Sequence, residues 1–146
     1  MVVQHEWGQG TFVGLHHAKL PVTDVAVSRQ WYVDALGFLP ELEFVENGLL
    51  AGAALRHPDA QVRIALRGDQ PRAQAMAGFD AICLSVSNDA DLDQVIADLD
   101  DRGIPHGDRR RGREGWAIEL RDPDDIGVRI YSLEQADTPT KGSTPD

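Results

Sequence analysis

The feature that most constrains this chain is that it repeats itself. LRHPDAQVRI occupies residues 55–64 and LRDPDDIGVRI residues 120–130. The likeness extends backwards, with LHHAKLPVTD at 15–24 matching FDAICLSVSN at 79–88. In both copies a strand-like segment ends on Val-Thr or Val-Ser, and Asp24 or Asn88 stands where a helix N-cap belongs. A duplicated unit of this size predicts two like modules rather than one continuous architecture.

The segment after each cap has helical spacing. After Asp24, Val27, Trp31 and Ala35 fall on one stripe and Gly37 supplies the stop. After Asn88, Leu92, Val95, Ile96 and Leu99 give the i, i+3, i+4, i+7 pattern of a half-buried helix that ends at Gly103. Strands are then predicted near 41–46, 49–55 and 61–67 in the first half, and near 105–111, 116–121 and 127–133 in the second. His57-Pro58-Asp59 and Asp122-Pro123-Asp124 make the turns before the last strand of each half, because proline presets φ and aspartate bonds back to the backbone. Each half therefore reads β-α-β-β-β. The resulting organisation is an N-terminal extension (1–13), a first module (14–67), a connection (68–78), a second module (79–133) and a polar tail (134–146) expected to be disordered.

The 146 residues suffice for one compact unit of two fused halves, and 42% hydrophobic content with three Trp and four Phe suits a globular core. A net charge of −10 opposes binding to nucleic acid or to an anionic membrane. The single cysteine, Cys83, cannot form an internal disulfide, so a reducing cytoplasm is the expected compartment. The start of the sequence lacks the basic and apolar regions of a signal peptide, and the longest apolar run, 49–55, is too short to span a bilayer.

Strand parity separates two faces. Val62, Ile64 and Leu66 oppose Arg63, Ala65 and Arg67. Val128 and Ile130 oppose Arg129 and Tyr131, and Ala18, Leu20 and Val22 oppose His17, Lys19 and Pro21. In the fifth strand, Ile82, Leu84 and Val86 oppose Ala81, Cys83 and Ser85. The aliphatic faces must meet the helices. The mixed faces carry His17, Lys19, Arg63, Arg67, Arg129 and Tyr131, and two such faces set toward a common concavity would form a cationic cup.

The sequence resembles the vicinal oxygen chelate superfamily, which includes glyoxalase I, extradiol dioxygenases and the fosfomycin and bleomycin resistance proteins. The matching residues are HHAKLPVTD, the pattern of Ser28, Trp31, Tyr32, Leu36, Gly37 and Phe38, LSVSN opening the second half, and LRDPDD before the last strand. The resemblance spans roughly residues 14–133. It implies an α+β fold of two βαβββ modules whose cupped mixed sheets commonly associate as a homodimer. It also implies a divalent metal held by a His on the first strand, an acidic or His residue on the fourth, a His on the fifth and a Glu on the eighth. Carried over by position, these fall on His17, on Arg63 (Ala65 if the register slips), on Ala81 and on Arg129. A guanidinium stays protonated and offers no lone pair, so the metal site is expected to be absent and no cofactor is predicted.

Three functional readings are open. The first is a metal-independent binder of a small anionic molecule, with Arg63, Arg129, Lys19 and Arg67 gripping the anion, Glu119 balancing one arginine, His17 as proton acceptor and Tyr131 as donor. The second is a metal-dependent lyase, isomerase or dioxygenase with a site rebuilt from His16, His17 and Glu119. The third is a ligand-free association scaffold. As structural alternatives, Cys83 is expected to be a small buried hydrophobe, and the basic segment 107–115 is expected to be either solvated charge or a lid over the ligand.

Overall fold

The computed structural model describes residues 10–113 and 115–133; the predicted polar tail and the first nine residues lie outside them. The first module runs β1 (Ala18–Val22), α1 (Val25–Leu36), β2 (Leu39–Glu46), β3 (Leu49–Arg56) and β4 (Arg63–Gly68). Helix α2 (Gln70–Met76) comes next. The second module is β5 (Asp80–Val86), α3 (Asp89–Asp101), β6 (Arg110–Arg111), β7 (Trp116–Arg121) and β8 (Gly127–Ser132). The two sheets have the same order, β1-β4-β3-β2 and β5-β8-β7-β6. In each, the first and last strands pair in parallel and the remainder are antiparallel. The predicted α+β class and pair of βαβββ modules are therefore present.

Local chemistry sets the boundaries. The Asp24 carboxylate accepts from Val27 N–H at 3.1 Å and the Asn88 side chain from Asp91 N–H at 2.8 Å, so both predicted caps are formed. Gly37 ends α1 with φ of 75° and donates to the carbonyls of Tyr32 and Val33.

Three expectations are corrected. The buried stripe of α1 is Val25, Ser28, Tyr32 and Ala35, and Val27 is 53% exposed. Tyr32 has a buried hydrogen-bond partner in Asp122, so the helix turns that side inward and leaves Trp31 half-buried. The connection 68–78 contains α2, whose Asp69 cap and Pro71 in the first turn are ordinary helix-start signals. The strand expected over 105–111 shrinks to Arg110–Arg111. Pro105 has no N–H to offer a ladder, and the His106 ring turns back to Asp100 (Nε2 to Oδ1, 2.7 Å).

The aliphatic faces of both sheets meet in one core that includes Leu20, Leu55, Ile64, Leu99, Ile118 and Val128. A buried polar contact ties the modules together. The Tyr32 hydroxyl donates to Asp122 Oδ2 at 2.9 Å, while the backbone N–H groups of Asp124 and Ile126 donate to Oδ1 at 2.9 and 3.0 Å. Burial first, and then the Asp122 charge, push the Tyr32 phenol well above the usual tyrosine range, so it stays a donor. Burial also raises the Asp122 carboxyl, against the pull of its hydrogen bonds. Nearby, Thr23 N–H donates to both carboxylate oxygens of Asp124, at 3.0 and 3.2 Å.

Two outcomes are expected. Tyr32→Phe keeps the ring and removes only the donor to a buried carboxylate, so the urea midpoint should fall by the equivalent of about 2 kcal/mol. His106 is held protonated first by the Gly107 carbonyl and then by Asp100, which raises its pKa. Its stabilisation is complete below the ordinary histidine value of about 6.5 and is lost as pH rises through the higher folded value. The thermal midpoint of His106→Gln, tracked against pH beside the parent protein, should lie below the parent at pH 6 and converge with it as the medium turns alkaline.

Candidate functional site

Each sheet has one face against the core and one open face. On the open face of the first sheet, Gly52, Ala54 and Ala65 form a floor of small side chains. Register places Leu42 beside Ala54 and Phe44 beside Gly52 on the edge strand β2. A β-carbon on Gly52 would meet the Phe44 ring at 3.4 Å. Lys19 is exposed on this face and makes no ion pair among the described residues. Arg67 forms a two-pronged pair with Glu46, at 2.9 and 3.0 Å, which lowers the Glu46 carboxyl and raises the Arg67 guanidinium. Arg63 pairs with Glu41 at 3.2 Å.

His17 is exposed, one residue before β1, and its Nδ1 lies 2.9 Å from His16 Nδ1. Two such atoms bond only if one carries the proton and the other accepts. His16, Arg56, His57 and Arg63 line one cleft of ≈ 570 Å³ at this end.

On the second sheet, register sets Cys83, Arg129 and Glu119 side by side, with Ser85, Tyr131, Ala117 and Arg110 in the next row. Arg129 Nη2 meets Asp80 Oδ2 at 2.6 Å. The Tyr131 hydroxyl first, then the charges of Asp80 and Glu119, hold the Arg129 guanidinium above its ordinary value. Glu119 balances a different arginine, Arg121. Among the described residues, Asp80 Oδ1 and Arg129 Nε are shielded from solvent yet make no hydrogen bond. Glu119 Oε1, equally shielded, meets Arg121 as an ion pair without hydrogen-bond geometry.

The structure overturns the equivalence of the two repeated arginines. Leu55 pairs with Ile64, but the matching Leu120 pairs with Val128. Likewise Ala18 pairs with Ile64 and its counterpart Ile82 with Val128. The residue that corresponds to Arg129 is therefore Ala65, and Tyr131 corresponds to Arg67. Two one-residue differences add: the turn between the paired Arg56 and Arg63 (57–62) is one residue longer than that between Arg121 and Gly127 (122–126), and the second copy of the repeat is itself one residue longer. The repeated letters are thus offset by two places along the strand.

Two further expectations change. Cys83 is exposed rather than buried, and it borders a second cleft of ≈ 640 Å³ between the modules, with Phe38, His57, Val62, Leu84 and Ile130. The expectation of a wholly solvated basic segment after His106 changes at Arg109 alone, since Arg110, Arg111 and Arg113 are exposed. Arg109 pairs with Asp93 and, at 3.5 Å, with Asp89 of α3, and the Arg109 and Arg111 guanidinium carbons lie 5.2 and 5.7 Å from the Trp116 ring centroid.

Residues 14–130 match the model of the Glyoxalase/Bleomycin resistance protein/Dioxygenase superfamily. The chain belongs to that superfamily. Solved structures agree on the fold. A glyoxylase/bleomycin resistance protein/dioxygenase domain from Frankia sp. EAN1pec is 21% identical, with 86% of this chain and 96% of that one covered and a TM-score of 0.67. TnmS3, an antibiotic binding protein from Streptomyces sp. CB03234, is 16% identical (85% and 98% covered, TM-score 0.69). Lactoylglutathione lyase from Agrobacterium tumefaciens is 16% identical (84% and 95% covered, TM-score 0.67). No curated protein matches the sequence.

The superfamily's metal can be tested against the residues present. By alignment its four positions hold His17, Ala65 (Arg63 by the repeated letters), Ala81 and Arg129, and the register shift in β5 sets Asp80 in the place of Ala81, so the donors are one imidazole and one carboxylate, the latter already paired with Arg129. Among the described residues no group of three or more His, Cys, Asp or Glu side chains is placed to hold a metal ion, so His16, His17 and Glu119 do not assemble into one within the chain. These residues do not fit the metal. Arg67 and Glu46 are exposed, and exposed pairs contribute little. Arg67→Ala should therefore leave the urea midpoint unchanged within error, which makes it a safe probe of ligand binding at this face.

Proposed function

We propose that this superfamily member binds a small anionic molecule on the open sheet faces without a metal. The observation that carries the reading is Arg129 at the eighth-strand position, a fixed cation whose Nε–H is unbonded. A guanidinium there cannot ligate a metal but can grip a carboxylate or another oxyanion in fork geometry. Tyr131 beside it supplies a hydroxyl, and Lys19 and Arg67 supply positive charge on the other sheet. His17 is the proton acceptor if chemistry accompanies binding.

A second copy of the chain completes the cup. This is supported by the edge strand β2, exposed along its whole length, with Leu42, Phe44 and Val45 each about half exposed or more. An uncovered edge with apolar side chains favours association. That relatives such as TnmS3 are antibiotic binding proteins supports binding as an activity of this fold.

Thermal shift with a panel of anions tests the reading. An anion at about 100 times its dissociation constant stabilises by roughly 2.7 kcal/mol. Arg129→Ala should abolish that shift, and a shift that survives the substitution would remove the proposal. Elemental analysis of the purified protein is expected to find Fe, Mn, Ni and Zn well below one per chain. A stoichiometric metal would favour a lyase, isomerase or dioxygenase instead.

A further inference from the structure

Asp80 has no role in the sequence pattern, yet three features of the fold converge on it. The first is a β-bulge. Asp80 pairs with Gly127, and the next bridge joins Ile82 to Val128, so β5 spends two residues where β8 spends one. In regular alternation Asp80 would share a side with Ile82 and Leu84, toward the helices. The bulge puts Asp80 in the place Ala81 would take and re-aims its carboxylate to the open face.

The second is the seat under it. A β-carbon on Gly127 would collide with Asp80 Oδ1, so the glycine in β8 leaves room for this carboxylate. The third is the form of the contact. Asp80 Oδ2 meets Arg129 Nη2 at 2.6 Å, but Asp80 Oδ1 and Arg129 Nε, both shielded, make no hydrogen bond. An arginine and a carboxylate usually gain most by closing both prongs of the fork. Here only one is closed.

We propose that Asp80 is a built-in counter-ion that positions Arg129 and yields it to an incoming oxyanion. This rests on Arg129 being the anion contact. When Arg129 swings off Asp80 and uncovers its Nε, a ligand oxyanion that accepts from Nε and Nη2 together makes the second bond that Asp80 leaves unmade. Exchange therefore favours ligands presenting two oxygens on one centre, such as carboxylates and tetrahedral oxyanions, over halides. Asp80 sets the threshold such a ligand must exceed.

Asp80→Asn keeps the shape and removes the charge; Asp80→Ser is the second variant should the first fold poorly, with circular dichroism checking both. Two readouts are used. Titration calorimetry with sulfate should show affinity rising about tenfold in the variant, as one competing charge in contact is removed. Phenylglyoxal labelling, mapped by mass spectrometry, should accelerate at Arg129 several-fold while Arg63, paired elsewhere, keeps its rate. Sulfate affinity that is unchanged or weaker in Asp80→Asn, with unchanged labelling, overturns the counter-ion role. The labelling arm needs no bound anion, so it decides the Asp80–Arg129 relation by itself. Sulfate binding that persists in Arg129→Ala would instead overturn the anion-contact reading and this inference with it.

Discussion

The phenol of Tyr32 crosses the seam between the modules to reach the Asp122 carboxylate, and the placement of one sheet against the other leans on that contact. Both groups are buried, so the bond is made in a medium where leaving either partner unmet is expensive. The duplication makes the bond instructive. Counting from the caps Asp24 and Asn88, the counterpart of Tyr32 is Ile96; counting from the repeated Leu-Arg, the counterpart of Asp122 is His57. His57 turns instead to the Leu36 carbonyl, 2.9 Å away, and closes the end of α1. One side of the seam is thus locked by a polar tie, and the other holds the cleft lined by Phe38, Val62 and Ile130.

The modules, caps, turns and aliphatic faces were legible because each rests on local chemistry: an oxygen before a helix, a proline in a turn, alternation along a strand. The stripe of α1 was not, because Tyr32 is drawn inward by a carboxylate ninety positions later. Helix α2 carried its signals, Asp69 and Pro71, but is short enough to read as a connection. The strand before β7 is shorter than its pattern because Pro105 has no N–H for a ladder, although Gly107 N–H still reaches the Glu119 carbonyl at 2.8 Å.

Which side chains share the open faces was legible; how they are arranged there was not. Lys19, Arg63, Arg67, Arg129 and Tyr131 do lie on the open faces, since parity alone decides that. Parity does not disclose partners. Glu41, Glu46 and Asp80 neutralise three of the four cations, so the faces are charge-patterned rather than uniformly positive. A bulge changes parity at one residue, and the hint in the sequence was a glycine, Gly127, at the start of the last strand. A resemblance to a superfamily predicts the scaffold better than it predicts the side chains at any one open-face position, because strands tolerate substitution where they face solvent.

The two-place register offset has a geometric result. Two residues along a strand amount to about 7 Å, so Arg63 stands at the start of β4 while Arg129 stands two places further along β8. Although the halves descend from one pattern, the surfaces they offer are not mirror copies. Each sheet therefore carries its fixed charge at a different height along the strand, and the pattern one face shows cannot be read from the other.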